Sequence, residues 1–182
     1  LAVLPGTGGY AMTQYMRPCS DINEGFECSS GSSRYALIDE EAYNDYDYIY
    51  GTAPDRYSIS WQACLLSTPG ATPGSGTGTL RFRAALLGTA LCVGSIWVGD
   101  FEDGTEIKTK DVSPGSYFEE FTIPLTEEEM ANITNWADVR VVFLTYWHSK
   151  QTPPGTFYVS WAQFEVPDGA TATAGLEMGV MF

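Results

Sequence analysis

Short stretches of alternating apolar and polar residues recur along the chain. Residues 57–65 place Tyr, Ile, Trp, Ala and Leu at odd positions and Ser, Gln and Cys at even ones; residues 80–84, 117–123 and 157–166 alternate in the same way. A period of two is typical of a β-strand with one covered face. Glycine- and proline-rich loops such as 68–78 separate the stretches. Roughly eight strands at this spacing predict an antiparallel β-sandwich of jelly-roll type.

Three segments refine this pattern. Residues 91–98 are apolar at both odd and even positions, which indicates a central strand covered on both faces. Asp103-Gly104 is typical of a hairpin turn, and residues 34–38 read as a further strand. In 57–65 we expect the odd positions to face the core, because these are the larger apolar side chains.

One helix is predicted, over about residues 126–135. Thr126 followed by Glu129 is a capping box, in which the threonine hydroxyl accepts from the backbone N–H three residues on while the glutamate reaches back. The acidic residues 127–129 also complement the helix dipole. The β-branched run 139–147 ends the helical pattern.

The two termini differ from the centre of the chain. We expect an uncharged N-terminal arm over 1–16, the sandwich over 17–167 and a C-terminal tail over 168–182. The end of the tail alternates, so its apolar side chains fall on one side of an extended chain. Burying such groups is favourable by roughly 1.5–3 kcal/mol each, which predicts contacts with another subunit or with the chain's own sandwich. The expected contact residues are Leu176, Met178, Val180 and Phe182 in the tail, and Leu1, Val3 and Leu4 in the arm.

Charge excludes several classes of partner. The chain has 23 acidic and nine basic residues, a formal net charge of −14, and the basic residues form no patch. We therefore expect binding neither to nucleic acid nor to anionic membranes. No apolar run is long enough to span a membrane, and no signal segment is visible.

The inventory of catalytic and metal-binding side chains is small. Cys19, Cys28, Cys64 and Cys92 lack metal-site spacing and allow three disulfide pairings; we expect free thiols in a reducing cytosol. His148 is the single imidazole and reads as an ordinary loop residue. No nucleophile elbow or phosphate loop is present. We therefore expect no enzyme activity, cofactor or metal.

Two groups of oxygen ligands leave calcium as an alternative. They are Asn44 with Asp45 and Asp47, and Asp100 with Asp103. Neither group matches the spacing of an EF-hand loop.

Tyrosines cluster in an acidic segment. Tyr43, Tyr46 and Tyr48 are close together among carboxylates, with Tyr50 following. Rings beside carboxylates are an arrangement that stacks on sugars, so the first three are candidate glycan contacts. Ordinary packing or protein contacts explain the same cluster.

Several motifs together resemble a β-sandwich family of tailed-phage virions. They occur in the order of that family over about residues 16–167. They are MRPCSDI at 16–22, LIDE at 37–40, DYDYI at 45–49, LRFRA at 80–84, ITNWADVRV at 133–141 and YVSWAQFEVP at 158–167.

The resemblance implies a structural protein without catalytic residues. The expected function is that of a capsid decoration (cement) protein, a homotrimer that binds and stabilises the major capsid protein. Its expected location is the capsid surface of the virion, assembled in the cytoplasm of the bacterial host. The alternative is a carbohydrate-binding module or host-surface adhesin of a phage tail.

Overall fold

Two antiparallel β-sheets form the protein. The computed structural model describes residues 13–23, 25–53, 57–101, 103–147 and 154–169. The strands are β1 (Thr13–Met16), β2 (Pro18–Asp21), β3 (Glu27–Cys28), β4 (Ile49–Thr52), β5 (Ile59–Leu66), β6 (Gly78–Leu87), β7 (Leu91–Val98), β8 (Thr105–Val112), β9 (Glu119–Leu125), β10 (Val139–Tyr146) and β11 (Thr156–Pro167). This architecture confirms the predicted all-β, jelly-roll-like sandwich.

The first sheet is built around the long strand β11. Its order is β3-β4-β11-β6-β9, and β1 pairs with the end of β11 on the same edge as β4. Between these two short strands, the backbone N–H of Ala162 donates to the carbonyl of Ile38 at 2.9 Å. A register shift between Val159 and Trp161 accompanies the change of partner. The outer face of this sheet carries the candidate site.

The second sheet has the order β2-β5-β10-β7-β8. The strands β7 and β8 form the hairpin predicted at Asp103-Gly104. Phe82 from the first sheet and Phe143 from the second meet edge to face at 5.2 Å in the core between the sheets. Both side chains are fully buried, so the two sheets are joined by a continuous apolar layer.

The side of β5 that faces the core differs from the sequence-based expectation. Gln62, Cys64 and Leu66 face inward and are buried, while Ile59 and Trp61 lie on the outer side. The burial of Gln62 is tolerated because both the oxygen and the nitrogen of its side-chain amide make hydrogen bonds. Its oxygen accepts from the backbone of Phe26 at 3.2 Å, and its nitrogen donates to the carbonyl of Asn23 at 2.7 Å.

The segment 34–38 is a turn rather than the predicted strand. Tyr35–Leu37 form a single 3₁₀ turn. The two carboxylate oxygens of Asp21 accept from the backbone N–H groups of Arg34 and Tyr35, both at 2.8 Å. These bonds satisfy the first backbone N–H groups of a helical turn. In a strand, the same N–H groups would lose the Asp21 carboxylate as their hydrogen-bond partner.

The predicted helix is present but shorter than expected. It spans Glu127–Ala131, and the capping box of Thr126 and Glu129 forms as predicted. The helix ends early because the N–H of Asn132 and that of Ile133 bond three residues back, which tightens the last turn. The β-branched Ile133 then turns into the core.

The termini are described in part. Residues 13–16, which we placed in the N-terminal arm, form strand β1, and Met16 is fully buried. The remaining terminal residues expected to make contacts lie outside the described part of the chain. These are Leu1, Val3, Leu4, Leu176, Met178, Val180 and Phe182.

Candidate functional site

A cleft of about 480 Å³ opens on the outer face of the first sheet. Its volume lies within the range of sites for small ligands. The floor comes from outward-pointing residues of β6 and β11, and the walls come from the segments that precede β4 and β9. The lining residues are Asp45, Tyr46, Tyr48, Ala85, Leu87, Ser116, Tyr117, Phe118 and Tyr158.

Four aromatic rings form a connected cluster in and beside the cleft. Tyr158 packs edge to face on Tyr48, with 5.4 Å between ring centroids, and it stacks on Tyr50 at 5.7 Å. Tyr48 also contacts Phe118 at 6.0 Å. Tyr50 and Tyr158 lie opposite each other on the paired strands β4 and β11, while Tyr48 precedes β4 and Phe118 precedes β9 at the edge of the same sheet. Their mutual packing fixes the rings in place.

A hydrogen bond holds the outer edge of this cluster. The Tyr50 hydroxyl donates to a carboxylate oxygen of Glu27 at 2.7 Å. Because this bond favours the protonated phenol, it raises the pKa of Tyr50 above its ordinary value.

Two further tyrosines line the cleft while remaining exposed to solvent. Tyr46 is 90% exposed and Tyr117 is 86% exposed. Scattered exposed apolar side chains are common, but two large rings beside one apolar floor form a patch. Such rings have unused faces, which a flat apolar ligand surface would cover.

The polar anchor of the cleft is an ion pair between Asp45 and Arg83. The guanidinium donates to both carboxylate oxygens, at 3.0 and 2.7 Å, and the Ser160 hydroxyl donates to the same carboxylate at 2.6 Å. The hydrogen bond from Arg83 is the main cause that lowers the pKa of Asp45; the Ser160 bond lowers it further. The carboxylate is therefore ionised and fully engaged at neutral pH.

The arginines on this face are neutralised by carboxylates. On the outer side of β6, Arg81 pairs with Glu120 at 2.8 Å and with Glu165 at 2.7 Å. With Arg83 held by Asp45, neither guanidinium presents an unpaired positive charge. The face is polar beside the cleft, and its balance of charge is slightly negative.

The three tyrosines predicted from the sequence as glycan contacts lie in two different places. Tyr46 and Tyr48 line the cleft. Tyr43 lies beside it: its ring sits under the Arg83 guanidinium at 4.0 Å and contacts Trp161 at 6.4 Å. Its position indicates a role in holding the ion pair.

Sequence reasoning missed more than half of the lining. Ala85, Leu87, Ser116, Tyr117, Phe118 and Tyr158 were not among the candidate residues. The outward parity of Tyr158 in the alternating stretch 157–166 was the available signal, and the adjacent aromatic pair at 117–118 was another.

Four of the five side chains considered for calcium are engaged with protein partners. Asp45 bonds to Arg83, Asp47 accepts from the Asn44 amide at 2.8 Å, and Asp100 pairs with Arg140. Across the described residues, no group of three or more histidine, cysteine or acidic side chains is placed to hold a metal ion.

Cys19, Cys64 and Cys92 are free thiols in the structure. Cys64 and Cys92 are buried; burial raises the pKa of both thiols, that of Cys92 to about 12. Cys19 is exposed. His148 lies outside the described residues, so its predicted role as an ordinary loop residue stays a prediction. No helix in the described part of the chain is long and apolar enough to cross a membrane.

Comparisons with known proteins return similar structures only. No family model and no curated protein matches the chain. A family 11 carbohydrate-binding module from Clostridium thermocellum, in complex with a β-1,3-1,4-mixed-linked tetrasaccharide, is 12% identical with a TM-score of 0.46; the match covers 88% of this chain and 98% of that one. A family 30 carbohydrate-binding module of a cellulosomal cellulase of Clostridium thermocellum is 14% identical, with a TM-score of 0.44, and the match covers 88% and 99%.

The enzymatically active domain of tailspike protein 4 of bacteriophage CBA120 is also similar. It is 11% identical, with a TM-score of 0.46, and the match covers 86% of this chain and 19% of that one. Likeness at these scores carries no argument about the ligand of this chain.

Proposed function

We propose that the protein is a non-catalytic carbohydrate-binding module that holds a neutral glycan in the aromatic cleft. This is the alternative function predicted from the sequence. The observation that carries it is the pair of exposed rings, Tyr46 and Tyr117, on a cleft whose floor is aromatic and apolar. A pyranose presents an apolar C–H face to such rings while its hydroxyls remain in water, and weak C–H···π contacts add to the burial.

The polar groups of the cleft fit this ligand class. Ser116 and the tyrosine hydroxyls can exchange hydrogen bonds with sugar hydroxyls. A small number of fixed polar groups on an apolar floor is typical of a site that orients its ligand.

The same lining supports binding rather than hydrolysis. A glycosidase uses two carboxyl groups, about 5–9.5 Å apart, on either side of the scissile bond. Among the residues that line this cleft, Asp45 is the single carboxylate, and it is committed to Arg83 and Ser160. We therefore assign no catalytic step to the cleft.

The capsid decoration function stays a prediction. It rests on the sequence resemblance, and the terminal residues expected to make contacts lie outside the described part of the chain. The same holds for the homotrimer, the major capsid protein as partner and the location in the virion.

The test replaces the two exposed rings. Tyr46→Ala and Tyr117→Ala should each weaken binding of a soluble neutral oligosaccharide by about two- to tenfold, because a lost ring contact is worth roughly 0.5–1.5 kcal/mol. A glycan array with the full chain identifies the oligosaccharide, and isothermal titration calorimetry measures the change. Both side chains are largely exposed, so the unfolding temperature should stay within about 1 °C.

Tyr57→Ala is the matched control. Tyr57 is 60% exposed but precedes β5 in the second sheet, and its removal should leave the affinity unchanged. Equal loss in all three variants, or binding to no neutral glycan on the array, would refute the proposed function.

A further inference from the structure

The aromatic cleft is closed at one end by a bridge between its two walls. One wall is the segment 45–48 and the other is the segment 116–118. Arg83, on the floor strand β6, donates from a single guanidinium nitrogen to the Asp45 carboxylate at 2.7 Å and to the carbonyl of Phe118 at 3.0 Å. Because the two acceptors belong to opposite walls, the guanidinium crosses the cleft from side to side.

A second contact joins the walls beside this bridge. The ring of Tyr48 in one wall contacts the ring of Phe118 in the other, with 6.0 Å between centroids. Glu119, the residue after Phe118, pairs with Ala84 on β6, so the ring contact lies next to Arg83 along the strand. The hydrogen-bonded bridge and the ring contact together form one end wall of the cleft.

The bridge is held firmly in place. The Arg83 side chain is only 15% exposed, and the ring of Tyr43 lies against its guanidinium at 4.0 Å. The Ser160 hydroxyl fixes the Asp45 carboxylate at 2.6 Å. A ligand that ran past this point would have to separate Arg83 from its acceptors. Charge-assisted hydrogen bonds of this kind are strong, and a charged group left without a partner is costly, so the bridge acts as a barrier.

The opposite end of the cleft has no such barrier among the residues that the structure describes. Leu87, the last residue of β6, is 52% exposed there. Between the described parts of the two walls, no hydrogen bond, ion pair or ring contact crosses the floor at this level. From Arg83 to Leu87 the floor extends four residues along β6, or about 13 Å at the usual rise of a strand. The cleft is therefore a short groove that is closed at one end and open at the other.

We propose that the cleft recognises the end of a neutral glycan chain and not its interior; this inference rests on the function proposed above. The terminal sugar unit lies against the Arg83 bridge, between the exposed rings of Tyr46 and Tyr117, and the rest of the chain leaves past Leu87. An internal sugar unit continues in both directions, so one of its two neighbours would meet the bridge. A chain end continues in one direction only and fits a groove with one open end.

The number of protein copies bound per glycan chain tests the proposal. The probes are the linear neutral hexasaccharide that binds on the array and a much longer linear polysaccharide of the same linkage and known chain length. Isothermal titration calorimetry should find one copy of the full chain per glycan chain for both probes, with similar affinity per glycan chain. Several copies on each polysaccharide chain would show binding to internal units and would overturn this inference alone. Binding to no neutral glycan would instead refute the proposed function itself.

Two arginine variants separate the bridge from its surroundings. Arg83→Ala removes the bridge, so internal units should gain entry and the number of copies on each polysaccharide chain should rise. Arg81→Ala is the matched control: Arg81 lies on the same side of β6, but its partners are Glu120 and Glu165, outside both walls. We expect Arg81→Ala to keep one copy per chain.

The outcome for Arg83→Ala is decisive in one direction. A folded Arg83→Ala variant that still binds one copy on each long chain would contradict the assignment of the barrier to Arg83. Circular dichroism establishes whether this variant folds. If it does not fold, the count on the unaltered protein decides the proposal.

Discussion

Arg83 connects the two segments that form the walls of the cleft. Its guanidinium binds Asp45 through two hydrogen bonds and donates to the carbonyl of Phe118 at 3.0 Å. The Tyr43 ring lies against the guanidinium at 4.0 Å. Arginine suits this position because its planar fork serves several acceptors and an aromatic face at once. Arg83 is thus a positioning residue: it holds the segments that carry Tyr46 and Tyr117.

The position of Glu40 disfavours the charged form of its carboxyl group. One oxygen of its carboxyl group is buried without a hydrogen-bond partner within the described structure. Burial raises the pKa of Glu40, and the nearby Asp39 and Asp47 raise it further. A raised pKa in the folded state means that stability is greatest below the ordinary pKa and falls as pH rises through the folded-state value.

Glu40→Gln should therefore stabilise the protein at pH 7. The gain should be below about 1 kcal/mol, because the group is partly exposed and water screens its charge. Chemical denaturation at several pH values measures it, and the difference from the original chain should disappear below about pH 4, where an ordinary glutamate is protonated. Glu41→Gln, at an exposed neighbouring position, should show no such gain. A gain that persists undiminished at low pH would contradict the electrostatic cause.

At the level of elements, the alternating pattern predicted where strands lie, but it did not predict for every strand which side chains point into the core. It predicted the inward face of β6 correctly, where Leu80, Phe82 and Ala84 are fully buried. It failed on β5 because a buried glutamine is stable only through partners at Asn23 and Phe26, which are distant in sequence. Such tertiary hydrogen bonds override local pattern, and a sequence does not display them.

The cleft was only partly predictable for the same reason. Its two walls are joined by Arg83, which bonds to Asp45 in one wall and to the carbonyl of Phe118 in the other. Asp45 and Arg83 are 38 positions apart in the sequence. The tyrosine cluster near Tyr46 was visible in the sequence. The second wall at Tyr117 becomes recognisable only when β9 is paired with β6.

Strand β7 contains a glycine that its packing requires. A Cβ atom on Gly94 would lie 2.7 Å from the Phe82 ring, and that ring already stacks on Phe121 at 5.6 Å and contacts Phe143 at 5.2 Å. The ring has no free direction in which to move, because aromatic neighbours occupy both sides.

Gly94→Ala should therefore destabilise the fold by about 1–3 kcal/mol, the usual range for an overpacked core. Urea denaturation measures the loss. Gly115→Ala is a suitable control, since a Cβ there meets only a flexible glutamate side chain at 3.6 Å. Equal stability of the two variants would show that the layer between the sheets adapts more readily than its packing indicates.

For the whole molecule, the two outer faces have different chemistry. The first sheet combines an aromatic cleft with neutralised ion pairs, whereas the three central strands of the second sheet present mainly apolar side chains beside the exposed Glu106 and Asp111 of its edge strand β8. A sandwich separates its two outer faces by the thickness of its core. The proposed ligand site therefore shares no residue with the outer face of the second sheet, and each face can be altered alone.

The net charge of −14 should decide which glycans the cleft accepts. A neutral oligosaccharide pays no electrostatic cost, so its affinity should change less than about twofold between 50 and 500 mM salt. An analogue with the same linkage and carboxylated sugar units meets a negative field and an engaged Asp45, so it should bind at least about tenfold more weakly at low salt. Added salt should narrow that gap, because screening weakens long-range repulsion. Calorimetry with the two ligands across a salt series measures both effects. Tighter binding of the carboxylated analogue at low salt would mean that a guanidinium leaves its carboxylate partner to meet the ligand, and would contradict the assignment to neutral glycans.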